Sequence, residues 1–254
     1  QLQKNEQATN APDIYNLYPQ IEDILAWIKI DHLKIATANV DLSIGRGDES
    51  MMLMTGVFDV DFNNFLLDSN SHELDKIFNS EYITSSVRNL SVELPVKNQR
   101  VSSGSIFLDT KASSLRVENF QMDTLLYNSK LTHIKTNTLL LKVGQIGFDG
   151  FDFNSLYRKK GYFIDAISIQ KPELVVLKNS NADDDQNLQK PGINFRVGEF
   201  DLKEGSLAMI EQGAGDTTFR VSNYKLLLSE LIPATSDSAR LIEAAGLDAT
   251  FDNL

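Results

Sequence analysis

The chain of 254 residues contains no cysteine. That excludes disulfides, cysteine-ligated metal and a thiol nucleophile, and it leaves the compartment open, because many proteins of oxidising compartments also lack cysteine. There is one tryptophan, and there are three histidines. His32, His72 and His133 are isolated in sequence and read as structural or solvent-facing; none has the spacing of a metal-ligand pair, so no metal site is legible. No apolar run approaches the roughly 18 residues that span a bilayer, and no leader-like segment opens at Gln1. Positive charge is also scarce: 24 Lys and Arg against 35 Asp and Glu leave a formal net charge of −11. The small basic cluster Arg158–Lys160 reads as a loop. Phosphate recognition needs a positive footprint, so nucleic acid is not an expected partner.

The search for reaction chemistry is equally sparse. Ser103-Gly104-Ser105 lacks the strand-turn-helix setting that exposes a nucleophile and reads as a turn. Gly144, Gly147 and Gly150 recur every third residue within a strand pattern, with no following helix expected to cradle a phosphate, and read as β-bulges. Asp183–Asp185 lacks the alternating ligands and glycine of a calcium loop. Arg46-Gly47-Asp48 is a turn. A carbohydrate-binding or hydrolytic β-domain would want more than one tryptophan and a paired acid constellation. The expectation is a protein that is not an enzyme and that carries no cofactor or metal.

What the chain does have is a recurring hydrophobic rhythm. Leu115, Val117, Phe120, Met122, Leu125 and Tyr127 are spaced two, three, two, three, two. Leu141, Val143, Ile146, Phe148, Phe151 and Phe153 repeat those offsets. Steps of two mark a strand with one buried face. Each step of three throws the next apolar residue onto the wrong face unless a bulge or bend intervenes. The rhythm therefore predicts kinked strands lying side by side.

It also predicts a divergent repeat. Ile28, Ile30, Leu33, Ile35, Ala38, Val40 and Leu42 match Phe195, Val197, Phe200, Leu202, Gly205, Leu207 and Met209 at a constant offset of 167. Ile164, Ile167, Ile169, Pro172, Leu174 and Val176 fit the same frame. Ala38, Pro172 and Gly205 then share one place, where a small residue or a proline suits a bend. Partner strands are expected around Phe58 and Val60, Val87 to Leu94, Ile106 and Leu108, and Phe219 to Leu228. The 3.6-residue spacing of Ile14, Leu17, Ile21, Ile24, Leu25 and Ile28 predicts an amphipathic helix over 12–28, with Trp27 anchoring it on the sheet. A capping box of Asn70 and Glu73 predicts a second helix over 71–78.

The expected fold is mainly β: an elongated, curved antiparallel sheet of kinked strands built as repeating hairpins, an open groove or a flattened sandwich. One or two short helices accompany it, the first near the N-terminus. Residues 1–11 are expected to be loose, with 12–254 a single module whose possible sub-units are 12–130 and 131–254. Asn179–Pro191 is the best internal linker. Leu247, Ala249 and Phe251 begin a new alternation that stops at Leu254, which reads as part of a longer protein. Two short helices cannot blanket about ten strands, so one apolar face must meet a second sheet, another segment of the parent chain, or a hydrophobic ligand.

Three phrases carry a family resemblance. INFRVGEFDLKEGSLAMI (Ile193–Ile210), followed by FRVSNYKLLL (Phe219–Leu228), resembles the repeated hairpin of the AsmA-like family of bacterial envelope proteins. YFIDAISIQKPELVVLK (Tyr162–Lys178) is similar to that family's strand-Pro-strand phrase, and so is the opening helix running into IKIDHLKIATANVDL (Ile28–Leu42). The likeness covers Tyr18 to Leu228 as a pattern of residue types and brings no catalytic motif. It implies a periplasmic body behind an inner-membrane anchor, related to the repeating β-groove of bridge-type lipid transfer proteins and serving outer-membrane biogenesis. Ten strands at about 4.8 Å stack to roughly 45 Å, a module rather than a bridge.

On this basis the expected partners are a phospholipid or other acyl-chain ligand, and other segments of the parent chain or envelope proteins. The expected lipid-facing residues are Ile146, Phe148, Phe151, Phe153, Ile167, Ile169, Phe200 and Leu202. The competing expectation is a structural or protein-interaction module with a closed dry core and strand edges that pair with neighbours.

Overall fold

The computed structural model describes residues 18, 22–46, 49–71, 76–95, 98–125, 138–178, 194–211, 217–233 and 242–253. A long hairpin of β1 (Trp27–Arg46) and β2 (Glu49–Asp68) opens it. The meander continues through β3 (Tyr82–Leu94), β4 (Gln99–Asp109), β5 (Ser114–Thr124) and β6 (Thr138–Asp149). A five-residue helix, α1 (Phe153–Tyr157), precedes β7 (Tyr162–Gln170) and β8 (Glu173–Lys178), the two halves of one strand bent at Lys171 and Pro172. Then come β9 (Phe195–Glu211), β10 (Thr217–Pro233), β11 (Ile242–Glu243) and β12 (Gly246–Asn253). All twelve strands belong to one sheet, in which β5 pairs with β6.

The mainly-β expectation holds, with one correction to its topology. β9 lies parallel to both β7 and β8, so the sheet is mixed rather than wholly antiparallel. The linker expected at Asn179–Pro191 falls in this crossover and lies outside the described residues.

The steps of three are kinks, as the rhythm predicts. Between Ile35 and Ala38, Thr37 has φ 54°; between Phe62 and Phe65, Asn64 has φ 50°. Asn89 (φ 53°), Asn119 (φ 52°), Lys171 (φ 52°), Glu204 (φ 55°), Asn223 (φ 52°) and Glu230 (φ 50°) sit likewise, each directly before the second apolar residue of its step. A left-handed residue re-aims the chain, so the next apolar side chain returns to the original face. Steps without such a residue lie opposite one: Ile30–Leu33 pairs with Phe62–Phe65, Val197–Phe200 with Leu228–Leu231, and Val143–Ile146 with Val117–Phe120. One strand of each pair supplies the turn and its partner follows. Asn accepts this conformation at little cost, whereas β-branched Thr37 does not. Its strain is met by the Asp59 carboxylate, whose Oδ1 accepts the Thr37 N–H at 2.8 Å.

Ala38, Pro172 and Gly205 each follow a left-handed residue, Thr37, Lys171 and Glu204. They do occupy one equivalent bend. The repeat extends to whole hairpins: Ile30↔Phe65, Leu33↔Phe62, Ile35↔Val60 and Ala38↔Phe58 correspond to Val197↔Leu231, Phe200↔Leu228, Leu202↔Leu226 and Gly205↔Tyr224.

Several local expectations are overturned. Glu22–Ile24 is a turn and Ile28 already pairs with Leu67, so the predicted helix does not reach 28; residues 12–17 and 19–21 of it lie outside the described residues. Trp27 opens β1 and is 61% exposed rather than an anchor. Of the second predicted helix, Ser71 is in a turn and Ile77 bridges Ser80, with 72–75 outside the described residues. Ser103 to Ser105 lies inside β4, with Ser103 Oγ held by the carbonyls of Ser105 and Glu118. Of the three glycines, Gly144 lies opposite the Asn119 kink, between the residues paired with Glu118 and Phe120; Gly147 pairs regularly; Gly150 (φ 64°), just past β6, is left-handed directly before Phe151, and a helix does follow it.

Candidate functional site

Registers across the sheet assemble the rhythm into rows. One row runs Ala38, Phe58, Val87, Ile106, Val117, Ile146, Ile169, Leu202, Leu226, Ala249, from one sheet edge to the other without a polar residue. A second runs Ile35, Val60, Ser85, Leu108, Leu115, Phe148, Ile167, Phe200, Leu228, Leu247, with Ser85 the single exception. Beyond the kinks a third runs Leu42, Met54, Val92, Val101, Met122, Leu141, Leu174, Leu207, Val221. On the other face the row Asp41, Thr55, Ser91, Ser102, Gln121, Lys142, Glu173, Ser206, Ser222 is wholly polar, while Phe107, Leu227 and the run Leu140, Val175, Ala208 are apolar exceptions there. The sheet is two-sided, one face for water and one against it.

A mid-sheet apolar side chain with a layer above it is buried. Here Ile106, Val117, Ile146 and Ile169 are only half-buried. Among the described residues no second sheet covers them, so no sandwich forms.

Burial on this face is local: Leu125, Val143 and Val221 are buried beyond the kinks, and the largest buried cluster lies at the α1 end. Asp152 caps α1, accepting the Ser155 N–H at 2.9 Å and its hydroxyl at 2.6 Å. Burial raises the Asp152 carboxyl, but these bonds outweigh it and hold it below the usual carboxylate range. The cap swings Phe151 and Phe153 over the sheet, where the rings stack at 4.6 Å and bury with Ile164, Val197 and Leu231. Between this plug and β2, β3 and β4 is a cavity of about 450 Å³. It is lined by Val60, Phe62, Ile77, Phe78, Ile83, Ser85, Leu108, Thr110, Phe153, Leu156 and Tyr157. Its Ser and Thr hydroxyls are engaged by backbone: Ser85 donates to the Asp59 carbonyl, and Thr110 accepts from the Ile83 N–H and donates to its carbonyl. The volume is within the range of small-ligand sites, and the lining suits an apolar group.

A smaller depression of about 140 Å³ lies on the polar face, among Lys34, Asp59, Asp61, Thr84, Ser86 and Phe107. Its carboxylates are already partnered, Asp59 by Arg88 at 2.8 Å and Asp61 by His32. The Thr37 N–H and the Arg88 guanidinium hold Asp59 below the usual carboxylate range. This is a clamp on the β1 kink rather than a binding site. Of the other histidines, His72 and His133 lie outside the described residues. Among the described residues no group of three potential metal ligands occurs, and no helix is long and apolar enough to cross a membrane.

Six of the eight expected lipid-facing residues form one patch: Phe148, Ile167 and Phe200 in one row, Ile146, Ile169 and Leu202 in the next. Phe151 and Phe153 lie apart from that patch. They leave the strand pattern at α1 and are buried as the plug, although Phe153 also walls the cavity. The cavity's other wall was missed. Phe62, Ile83 and Leu108 carry the same alternation, but nothing local marks which stretch of the face a plug will roof. No family model matches the chain, and no curated protein matches it in sequence.

Proposed function

We propose that the protein is a non-enzymatic, AsmA-like module of the bacterial cell envelope, periplasmic and part of an inner-membrane-anchored protein. Its apolar sheet face shields or conducts lipid acyl chains in outer-membrane biogenesis. One observation carries the reading: two rows of apolar side chains cross ten strands, with Ile106, Val117, Ile146 and Ile169 only half-buried in mid-sheet, beside an apolar cavity of about 450 Å³. Left in water, such a face is costly; each acyl CH₂ laid on it gains about 0.8 kcal/mol. The lack of polar anchors in the cavity fits a site that takes a chain and leaves a headgroup outside. The family likeness of Ile193–Leu228 and Tyr162–Lys178 supplies the envelope setting.

Native mass spectrometry of the unmodified chain tests this. Phospholipid or fatty acid carried through purification is the expected result. A species free of ligand, together with failure to take up added fatty acid, favours the competing reading of a structural interaction module.

A further inference from the structure

The second apolar row changes character where it enters the cavity. Val60, Ser85 and Leu108 of that row form the floor, and the turn at 77–80 and α1 supply the facing walls. Of the lining residues only Phe78 and Leu156 are exposed, at 42% and 36%. The mouth therefore lies between the turn and α1. There the Phe78 and Tyr157 rings meet edge to face, with 4.9 Å between their centroids.

Phe78 is held at this place against its own backbone preference. The Ser80 N–H donates to the Ile77 carbonyl at 3.0 Å, and both central residues of the turn are left-handed, Phe78 at φ 45° and Asn79 at φ 57°. Turns of this hand favour Asn and Gly, and a bulky aromatic side chain in that region is an outlier. The base of the turn is fixed: Asn79 and Ser80 are buried, and the Asn79 carbonyl accepts the Leu66 N–H at 2.9 Å. Strain that the surroundings over-determine gathers at ligand clamps and switches. Here it sets a ring at the mouth of an apolar cavity.

Beside that mouth the charge is positive. Arg158, Lys159 and Lys160 directly follow Tyr157 and are exposed. Their N–H groups bond back to the carbonyls of Asn154, Leu156 and Ser155, which keeps all three within a turn of Leu156. Asp152, at the other end of α1, is engaged by Ser155. Lys76 and Glu81 flank the 77–80 turn and offset each other in charge. In a chain of net charge −11 the cluster is a local reversal of sign.

We infer that the cavity is a gated site for a single-chain anionic amphiphile. The alkyl tail lies inside, the anionic head stays outside near Arg158–Lys160, and Phe78 closing on Tyr157 retains the tail. The interior takes only the tail because the Ser85 and Thr110 hydroxyls are already engaged by backbone. The inference rests on the acyl-chain reading of the apolar face and adds to it a place, a head charge and a gate.

The fluorescent single-chain fatty acid cis-parinarate tests it on the intact chain, with decanoate and decanol as displacing ligands. Leu156→Trp, at the exposed lip, should weaken cis-parinarate binding about tenfold. Phe78→Gly suits the left-handed turn and should speed release in stopped flow about tenfold, with the far-ultraviolet circular dichroism of the parent. Lys159→Asn with Lys160→Gln keeps the left-handed position tolerable. It should weaken displacement by decanoate about threefold and leave decanol unchanged. If the parent binds cis-parinarate but neither Leu156→Trp nor Phe78→Gly alters binding or release, the gated cavity is overturned while the open acyl-chain face stands. Equal loss of decanoate and decanol in the lysine variant overturns the anionic head. A parent chain that binds no cis-parinarate overturns both readings.

Discussion

Hairpins β1–β2 and β9–β10 share apolar frame, register and kinks up to the Ala38 and Gly205 bends, past which Asn223 kinks β10 alone; they differ also in burial. Ile35 is 46% exposed, whereas its counterpart Leu202 is 9% exposed. Ile30 and Phe65 are half-buried, whereas Val197 and Leu231 are buried beneath the Phe151–Phe153 plug. Local sequence sets the shape of each strand pair; neighbours above and beside it set how much apolar surface leaves water. Shape and stability are therefore separable in this sheet, which is how a face can be apolar without being a core throughout.

The largest effect should come from placing a charge at the two equivalent positions. Leu202→Asp buries an unpaired carboxylate and should cost about 4 kcal/mol. Ile35→Asp, at the open edge, should cost less than about 1 kcal/mol. Urea midpoints check both, and equal costs would erase the distinction between the hairpins.

Next comes the plug, which only the second hairpin has. Phe153→Ala removes a stacked, buried ring and should cost about 3 kcal/mol. It also widens the cavity, so uptake of a fluorescent fatty acid should change along with the thermal midpoint. Removing Trp27, exposed at the start of the first hairpin, should change neither.

A smaller effect is expected at the shared bend. A Cβ at Gly205 would meet the Tyr224 ring at 2.5 Å, and burial of that ring already raises the Tyr224 hydroxyl. Gly205→Ala should cost about 1 to 3 kcal/mol. Ala38→Gly, at the equivalent bend beside Phe58, should cost about 0.5 to 1 kcal/mol through backbone entropy. Differential scanning calorimetry of the two variants sharpens the comparison.

The smallest effect is the pH response of the β1 clamp. Asp59 is held below its ordinary value, so its contribution is present above the usual carboxylate range. It is lost as pH falls through its lowered folded-state value. Asp59→Asn should flatten that part of the acid limb in urea titrations run at successive pH values, while leaving the neutral-pH kinks of β9 intact.

These contrasts mark what was legible in the sequence. The two-three-two rhythm is a direct record of left-handed residues at Thr37, Asn89, Asn119 and Glu204, because a kink leaves its trace in the apolar spacing itself. The same spacing brings Ile146, Ile169 and Leu202 to one row. Helix α1 was hidden because Phe151 and Phe153 happen to fall on the strand rhythm; Asp152 with Ser155 three residues later was the only signal of a cap. The periodicity of Ile24, Leu25 and Ile28 suggested a helix where Ile28 and Ile30 already belong to β1, since a 3.6-residue pattern and a strand share residues at their junction. The parallel placement of β9 was not legible at all: apolar spacing reports a strand's faces and is silent on which neighbour lies at its edge.

The central claim is that the apolar rows are an open acyl-chain surface. A fatty acid bearing a diazirine at the chain end, photolysed with the intact protein and mapped by peptide mass spectrometry, tests it most directly. Adducts concentrated on Ile106, Val117, Ile146, Phe148, Ile167 and the cavity residues Phe62 and Leu108 are the expected result. Adducts scattered over the polar face, or none above the level of a heat-denatured control, would contradict it.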